Sequence, residues 1–349
     1  KEKLKTVDDL FNSIKSGDRP VRPPLVPDHY WDLIQRCWSQ NPADRPTFDE
    51  IVQILRDDKF ALEEFGMKTD LKQLHEYQNR FKADNVYING DVPDIKPPPT
   101  LCTTDSIWSF YDKEQVKTDN FYIDDEEEKF HKVLSKIGEG LTSVVYKVVD
   151  TRTDQIMCKK ILKFDPSSPP DFKNAKNAMK EFEILYKINH PCICKSLFIN
   201  MQEVIKDANV DEENQEVTTV AIFLEFLEFD LKKLIKSGLN NTLKTRIVVD
   251  IVHAMRFLHK KGMIHRDLKA ENIALNSVFE AKLIDFGLVR IHECLSKDYS
   301  FVSETMSRGV GTFFYMSPEM ITQSEYGVEI DIWALGILLY EMLTNVTPF

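Results

Sequence analysis

Asp267 and Asp285 each close a short apolar run in the segment IHRDLKAENIALNSVFEAKLIDFG, residues 264–287, and Lys269 and Asn272 follow the first of them. A carboxylate next to an attacking hydroxyl can orient it and accept its proton. An acid and an amide oxygen can hold Mg²⁺, and a nearby cation offsets charge on a transferring phosphate. These residue types at this spacing form an inventory for moving a phosphoryl group.

The same residues carry a resemblance. His265-Arg266-Asp267-Leu268 with Asn272, then Asp285-Phe286-Gly287, resemble the H-R-D-L-x-x-x-N and D-F-G runs of the eukaryotic protein kinases. The rest of the catalytic half follows in that family's order. Residues 137–145 read IGEGLTSVV, running from Ile137 to Val145. In that loop Gly138 and Gly140 let the backbone approach phosphate with no Cβ in the way, and Ser143 stands where a third glycine is common. Alone, a G-x-G is more often an ordinary hairpin; the β-branched strand and lysine that follow give it weight. Two lysines compete for the phosphate role, Lys159 and Lys160. Side chains alternate faces along a strand, so the small residue near adenine and the phosphate-binding lysine stand two apart. That selects Lys160 with Cys158 and leaves Lys159 as the alternative.

A kinase lysine needs an acidic partner on the next helix, and residues 175–188, AKNAMKEFEILYKI, have helical spacing of apolar residues. Glu181 lies before His190 as in family members reading E-x-x-x-L-x-x-x-x-H-P. Glu183 suits a solvated helix position, because Leu185 shares a face with Glu181 one turn on. Residues 220–234, VAIFLEFLEFDLKKL, are an apolar strand running into a polar helix start. They resemble the hinge, with Leu224 at the gatekeeper position and Glu225 and Leu227 offering backbone groups to adenine.

Beyond Asp285 a long segment ends at GTFFYMSPEM. The resemblance places Thr312 in the loop that receives the substrate residue and Glu319 at the close of the segment. It places Asp331 on a buried helix under the catalytic loop. Lys269, rather than an arginine, resembles the serine/threonine class. Ser303, Thr305 and Ser307 are either phosphorylation sites, whose phosphate would pair with Arg266 and order the segment, or ordinary polar loop residues.

The order of the parts is unusual. The chain stops at Thr347-Pro348-Phe349, where a kinase begins its last helices, and residues 10–55 resemble those helices, with Trp31, Cys37, Trp38, Pro42, Arg45 and Pro46 as the recognisable residues. The match there is to tyrosine-kinase-like serine/threonine kinases. Arg45 would partner the glutamate ending the activation segment, a bidentate buried pair that lysine would not replace. The expected organisation is residues 1–81 as the end of a large lobe, 82–130 as linker, and 131–349 as a small lobe with the first part of a large lobe. Three architectures fit: a window from a tandem-kinase polypeptide with kinase segments upstream and downstream, a circular permutant, or a domain-swapped assembly. The absence of a starting methionine favours the window.

Composition sets limits. The 349 residues are 42% hydrophobic, enough for one or two cores, and the net charge of −11 argues against general nucleic-acid or anionic-membrane binding. No signal peptide or long apolar run is present, so the expectation is a cytoplasmic protein with no membrane or nucleic-acid partner. Cys192 and Cys194, one residue apart on an expected strand, read as core thiols rather than a zinc site. Residues 91–104 are proline-rich, with Pro97 to Pro99 either spacer or docking ligand. Residues 124–128 are an acidic run expected to be solvated. Residues 62–81 have helical periodicity, and residues 206–217 look like a hairpin extension.

The resemblance implies an α+β, bilobal fold, with a small antiparallel β-lobe, a helical large lobe, and the closing helices at the N-terminus of the chain. It implies ATP and Mg²⁺ as cofactors and a protein substrate phosphorylated on serine or threonine. In that reading Asp267 takes the proton, Lys269 stabilises the transferring group, Asn272 and Asp285 hold Mg²⁺, and Lys160 with Glu181 positions the α and β phosphates. The rivals are a kinase-shaped scaffold and an incomplete fragment inactive alone.

Overall fold

The computed structural model describes residues 6–60, 63–64, 67–68, 71–79, 81, 125–139, 143–164, 182, 184–186, 188–204, 217–291 and 310–349. The described residues of Lys1–Val86 and Glu228–Phe349 form one compact unit, and those of Tyr87–Leu227 form another. Glu181, Gly140, Ser303, Thr305, Ser307 and the proline-rich stretch lie outside the described residues.

The larger unit opens with three helices whose ends the sequence writes plainly. Thr6 and Asp9 cap Val7–Lys15 reciprocally, and Thr47 and Glu50 do the same for Phe48–Ile54. Each pair satisfies two orphan amides. Asp28–Cys37 follows Pro27 and buries Tyr30, Leu33, Ile34 and Cys37. One expectation needs correcting here. Residues 62–81 are not one helix: β1 Glu63–Glu64 pairs antiparallel with β2 Met67–Lys68, and the helix is confined to Leu71–Asn79. Gly66, a poor helix former, interrupts the periodic stretch.

The smaller unit is an antiparallel sheet of β3 His131–Glu139, β4 Ser143–Asp150, β5 Ile156–Phe164, β6 Ser196–Val204 and β7 Val217–Glu225, in the order β3-β4-β5-β7-β6. Alternation gives it two different faces. Val148, Met157, Ala221 and Phe223 make a buried cluster, with Tyr146, Ile161, Leu197 and Phe198 packed against it. Within the acidic run, Glu127 is exposed as expected, and Glu128 corrects the expectation. Asp125–Glu128 is helical, and the Glu128 carboxylate pairs with Lys159, both side chains largely buried. The lysine supplies the counter-charge that makes burying the carboxylate tolerable. Cys192 and Cys194 are buried, but in the turn before β6 rather than on a strand. Among the described residues no cluster of metal-binding side chains forms.

In the larger unit two long helices carry the site. Asn241–Lys260 starts at Asn240, whose side chain accepts from the Leu243 amide at 2.7 Å. Glu329–Thr344 is buried over nearly its whole length and stops at Asn345, which is left-handed with φ 63°. Short strands are threaded beside them: β8 Phe229–Asp230, β9 Met263–Ile264, β10 Ile273–Leu275, β11 Ala281–Leu283 and β12 Arg290–Ile291. They are ordered β11-β10-β8 and β12-β9.

The N-terminal helices pack against Glu329–Thr344. Trp38 lies against Tyr340 and Phe349, with centroids 5.8 and 5.9 Å apart. Its indole also sits over Gly336, where an added Cβ would fall 2.6 Å from Nε1 and 2.9 Å from the Cys37 Cβ. That helix glycine is what admits the tryptophan. Two guanidinium groups lie over the Trp333 ring, Arg19 at 4.7 Å and Arg45 at 5.2 Å from its centroid. Burial, with the Arg45 charge adding to it, pulls Arg19 down to about 10.

Candidate active site

The catalytic segment is held from below by one carboxylate. Asp331, fully buried, accepts from the amide of His265 at 2.9 Å and of Arg266 at 2.8 Å, and meets His259 Nε2 at 2.8 Å. Burial alone would raise its pKa, but the His259 hydrogen bond and the charges of His259 and His265 hold it below the usual carboxylate range. Those two amide bonds fix a backbone that is otherwise unfavourable, because Arg266 has φ 68°. Such a conformation persists in a non-glycine residue only where its surroundings over-determine it. The Arg266 side chain adds to that, donating from Nε to Leu288 O at 2.6 Å and from Nη1 to Tyr326 at 3.1 Å.

What this support presents is Asp267. Lys269 Nζ donates to both its carboxylate oxygens at 2.8 Å, and Asn272 Nδ2 donates to its carbonyl at 2.8 Å and to Oδ2 at 2.9 Å. Asp267, Lys269 and Asn272 are thus one charge-assisted cluster, buried at the end of β9. Asn272 closes the 3₁₀ turn Ala270–Asn272 and leads into β10, whose Ile273 pairs with Leu283 of β11. The Ile284 amide donates to Asn272 O at 3.1 Å, so Asp285 emerges beside Asn272. The Asp285 Oδ1 accepts from the Gly287 amide at 3.0 Å, and Phe286 is buried edge-on to His265 at 5.3 Å.

Glu319, on Pro318–Ile321, is clamped by Arg45 from the other end of the chain. Nη1 to Oε1 is 2.5 Å and Nη2 to Oε2 is 2.9 Å, with Nη1 also donating to Glu329 O at 3.0 Å and Nε to Ser39 O at 3.0 Å. The fork-to-fork geometry is one that only arginine supplies. Thr312 lies in the 3₁₀ stretch Val310–Tyr315. Just beyond it stands a cluster that no sequence pattern announced. The Tyr315 hydroxyl donates to Glu341, which pairs with Lys232, and Lys232 reaches Glu271 at 3.2 Å. Burial and the Glu341 charge push the Tyr315 phenol well up.

The smaller unit holds the other candidates on the sheet face away from its apolar cluster. In register, Val145 opposes Lys160 and Cys158 opposes Leu224, so Val145, Cys158, Lys160 and Leu224 share one face. Lys159 lies on the other, opposite Phe223, with its Nζ 5.5 Å from that ring centroid. Gly138 opposes Val145, and an added Cβ would meet it only at an ordinary 3.6 Å. Ile137 is exposed. Glu225 ends β7 with its amide on Lys195 O at 3.0 Å and its carboxylate accepting from the Lys195 amide at 2.8 Å; Leu227, half-buried, follows it. Of the helix predicted over residues 175–188 to carry the lysine's partner, the described part is Phe182, residues 184–186 and Ile188; the first four are helical, with Leu185 fully buried, and Ile188 is buried outside the helix.

Comparison with known proteins agrees with this geometry. The model of the protein kinase domain matches residues 131–349, and that of protein tyrosine and serine/threonine kinases matches residues 2–55. The chain belongs to the protein kinase family. Among curated relatives, this kinase chain is 33% identical over 215 residues to the mitogen-activated protein kinase mpk-1 of Caenorhabditis elegans, covering 61% of this chain and 44% of that one. It is 30% identical over 223 residues to the serine/threonine-protein kinase ppk23 of Schizosaccharomyces pombe, covering 63% and 50%. It is 29% identical over 220 residues to cyclin-dependent kinase 12 of Drosophila melanogaster, covering 61% and 18%. The kinase match therefore spans half or less of the length of each of these relatives. Protein kinases use ATP and Mg²⁺ as a family. Among the described residues no helix is long and apolar enough to cross a membrane.

Proposed function

We propose that this chain is an ATP-dependent protein serine/threonine kinase of the cytoplasm. The observation that carries the reading is the buried Asp267–Lys269–Asn272 cluster, which holds a carboxylate, a cation and an amide in one hydrogen-bonded constellation. Kinship to curated serine/threonine kinases supports the substrate class. The residues present fit the cofactors. A carboxylate and an amide oxygen are the hard donors that Mg²⁺ takes, and they stand on adjacent strand ends, with the Asn272 Nδ2 turned toward Asp267. Packing within the chain does not require glycine at Gly138, which fits a backbone kept open for phosphate. Mg·ATP, when bound, supplies the phosphoryl group and the metal charge that offsets its oxygens.

The chain's own groups do the rest. Asp267 orients the serine or threonine hydroxyl and accepts its proton as the new O–P bond forms and the bond to the leaving β-phosphate oxygen breaks. Lys269 steadies charge on the transferring group. Asn272 and Asp285 hold the metal, and Lys160 with Glu181 positions the α and β phosphates. The sharing of a face by Lys160, Cys158 and Val145 supports Lys160 over Lys159. Backbone groups of Glu225 and Leu227, below Leu224, receive adenine. Residues 1–81 act as the closing part of the large lobe for the same chain, a reading supported by Arg45 gripping Glu319, and residues 82–130 join them to the kinase domain as a linker. Kinase segments elsewhere in a longer polypeptide would be additional to this completed lobe. Phosphate on Ser303, Thr305 or Ser307 would order the activation segment through Arg266.

The test is Asp267→Asn, which keeps shape and removes the acceptor charge. Turnover on a generic serine/threonine acceptor falls by roughly 10²-fold or more while nucleotide binding is kept. A parent chain with no phosphoryl transfer, even after activation-segment phosphorylation, would establish a scaffold instead.

A further inference from the structure

The long helix Asn241–Lys260 buries a carboxylate that none of the kinase motifs contains. Asp250 is fully buried, and both its oxygens accept from the Tyr77 hydroxyl, at 2.7 and 2.8 Å. Its Oδ2 also accepts from the backbone amide of Ala281 at 2.9 Å. Tyr77 comes from the helix Leu71–Asn79, which is seated by three further contacts. The Arg246 guanidinium lies 4.5 Å from the Tyr77 ring centroid, Phe81 stacks on His253 at 4.1 Å, and Gln78 donates to Leu55 O at 3.2 Å.

Ala281 is where β11 begins. It pairs with Leu275 of β10, and at the other end of the same two-strand ladder Ile273, which follows Asn272, pairs with Leu283, which lies two residues before Asp285. A bond from Asp250 to Ala281 therefore sets where β11 sits, and β11 leads by way of Ile284 into Asp285. A buried carboxylate is expensive unless its oxygens are satisfied, so the bond to Ala281 depends on the donor on the other side.

We propose that Tyr77 and Asp250 are positioning residues for the Asn272–Asp285 pair, with the helix Leu71–Asn79 acting as a clamp that holds β11, the strand leading into Asp285, in register with β10. The inference rests on the reading of that pair as the Mg²⁺ site. Supporting residues of this kind change metal affinity without touching the metal.

The experiment titrates Mg²⁺ into the full chain with a fluorescent, non-hydrolysable ATP analogue, below the melting temperature of every variant. Tyr77→Phe and Asp250→Ala raise the Mg²⁺ concentration for half-saturation by roughly 10-fold. Nucleotide binding without metal stays unchanged. Asp250→Asn restores most of the loss, because its amide offers an acceptor to Ala281 and a donor to the Tyr77 oxygen. Should Asp250→Ala fail to fold, Tyr77→Phe, which keeps the ring on Arg246, decides. A lower melting temperature with unchanged Mg²⁺ half-saturation would reduce the clamp to ordinary packing. Asp285→Ala is run in parallel. If it abolishes the Mg²⁺ dependence while Tyr77→Phe does nothing, the metal site stands and the clamp falls; if it leaves the dependence intact, the metal site falls and takes the clamp with it.

Discussion

The two units hold their candidate residues in different ways. In the larger one, Asp267, Lys269, Asn272 and Asp331 are buried and each has named hydrogen-bond partners, several of them backbone amides. In the smaller one, Ile137 is exposed at an irregularity of β3, and Lys160 is half-buried on the sheet face that strand register gives it. On the proposed function, the difference follows the chemistry asked of each. A proton acceptor must stay within a fraction of an ångström of its reacting atom, which a buried network enforces. A loop and sheet over a nucleotide need only present a face.

The sharpest way to break this comparison is at Arg45. It and Glu319 are almost wholly buried, so Arg45→Ala or Glu319→Ala costs about 3–5 kcal/mol in denaturant unfolding of the larger unit. The double mutant loses little more than either. Additive losses would mean the two ends of the chain do not share a core.

Next in size are the adjacent lysines. Lys160→Met lowers turnover by roughly 10²-fold with little change in stability. Lys159→Met removes the counter-charge that faces the largely buried Glu128 and costs about 1–3 kcal/mol, with catalysis at saturating nucleotide nearly kept. Exchanged outcomes would assign the phosphate role to Lys159.

Gly336→Ala weighs two opposing effects. Alanine gains about 1 kcal/mol of helix propensity. Its Cβ would enter the Trp38 indole, and overpacking costs typically about 1–3 kcal/mol. The melting temperature therefore falls. A rise would show that the tryptophan can retreat.

The smallest effect is on pH. Burial holds His131 below its usual 6.5, partly countered by the Asp150 charge. A depressed histidine binds its proton less readily folded than unfolded. Its contribution to stability is full above 6.5 and is lost as pH falls through the lower folded value. NMR titration of the His131 ring finds a midpoint below 6.5, and a midpoint above it would mean that the Asp150 and Glu128 charges outweigh burial.

Much of the site was legible because its residues are local in sequence. Asp267, Lys269 and Asn272 lie within one turn of chain, and the strand alternation that separates Lys159 from Lys160 needs no knowledge of the rest. The fate of Glu128 was not legible. An acidic run looks solvated until a lysine thirty-one positions away is known to be buried above it. Tyr77, Asp250, Tyr315 and Glu341 escaped notice for the same reason, since each matters only through a partner remote in sequence. The hairpin β1–β2 was missed because periodicity outweighed one glycine.

The Arg45–Glu319 pair spans 274 positions, and that separation has a consequence for synthesis. The helices bearing Trp31 and Trp38 leave the ribosome well before the surface they cover. At about 5–20 residues per second the gap lasts on the order of tens of seconds. During that wait Tyr30, Trp38 and Ile34 have no closing helix to bury them, so a chaperone that binds apolar helices has a long opportunity on residues 7–60 of the nascent chain.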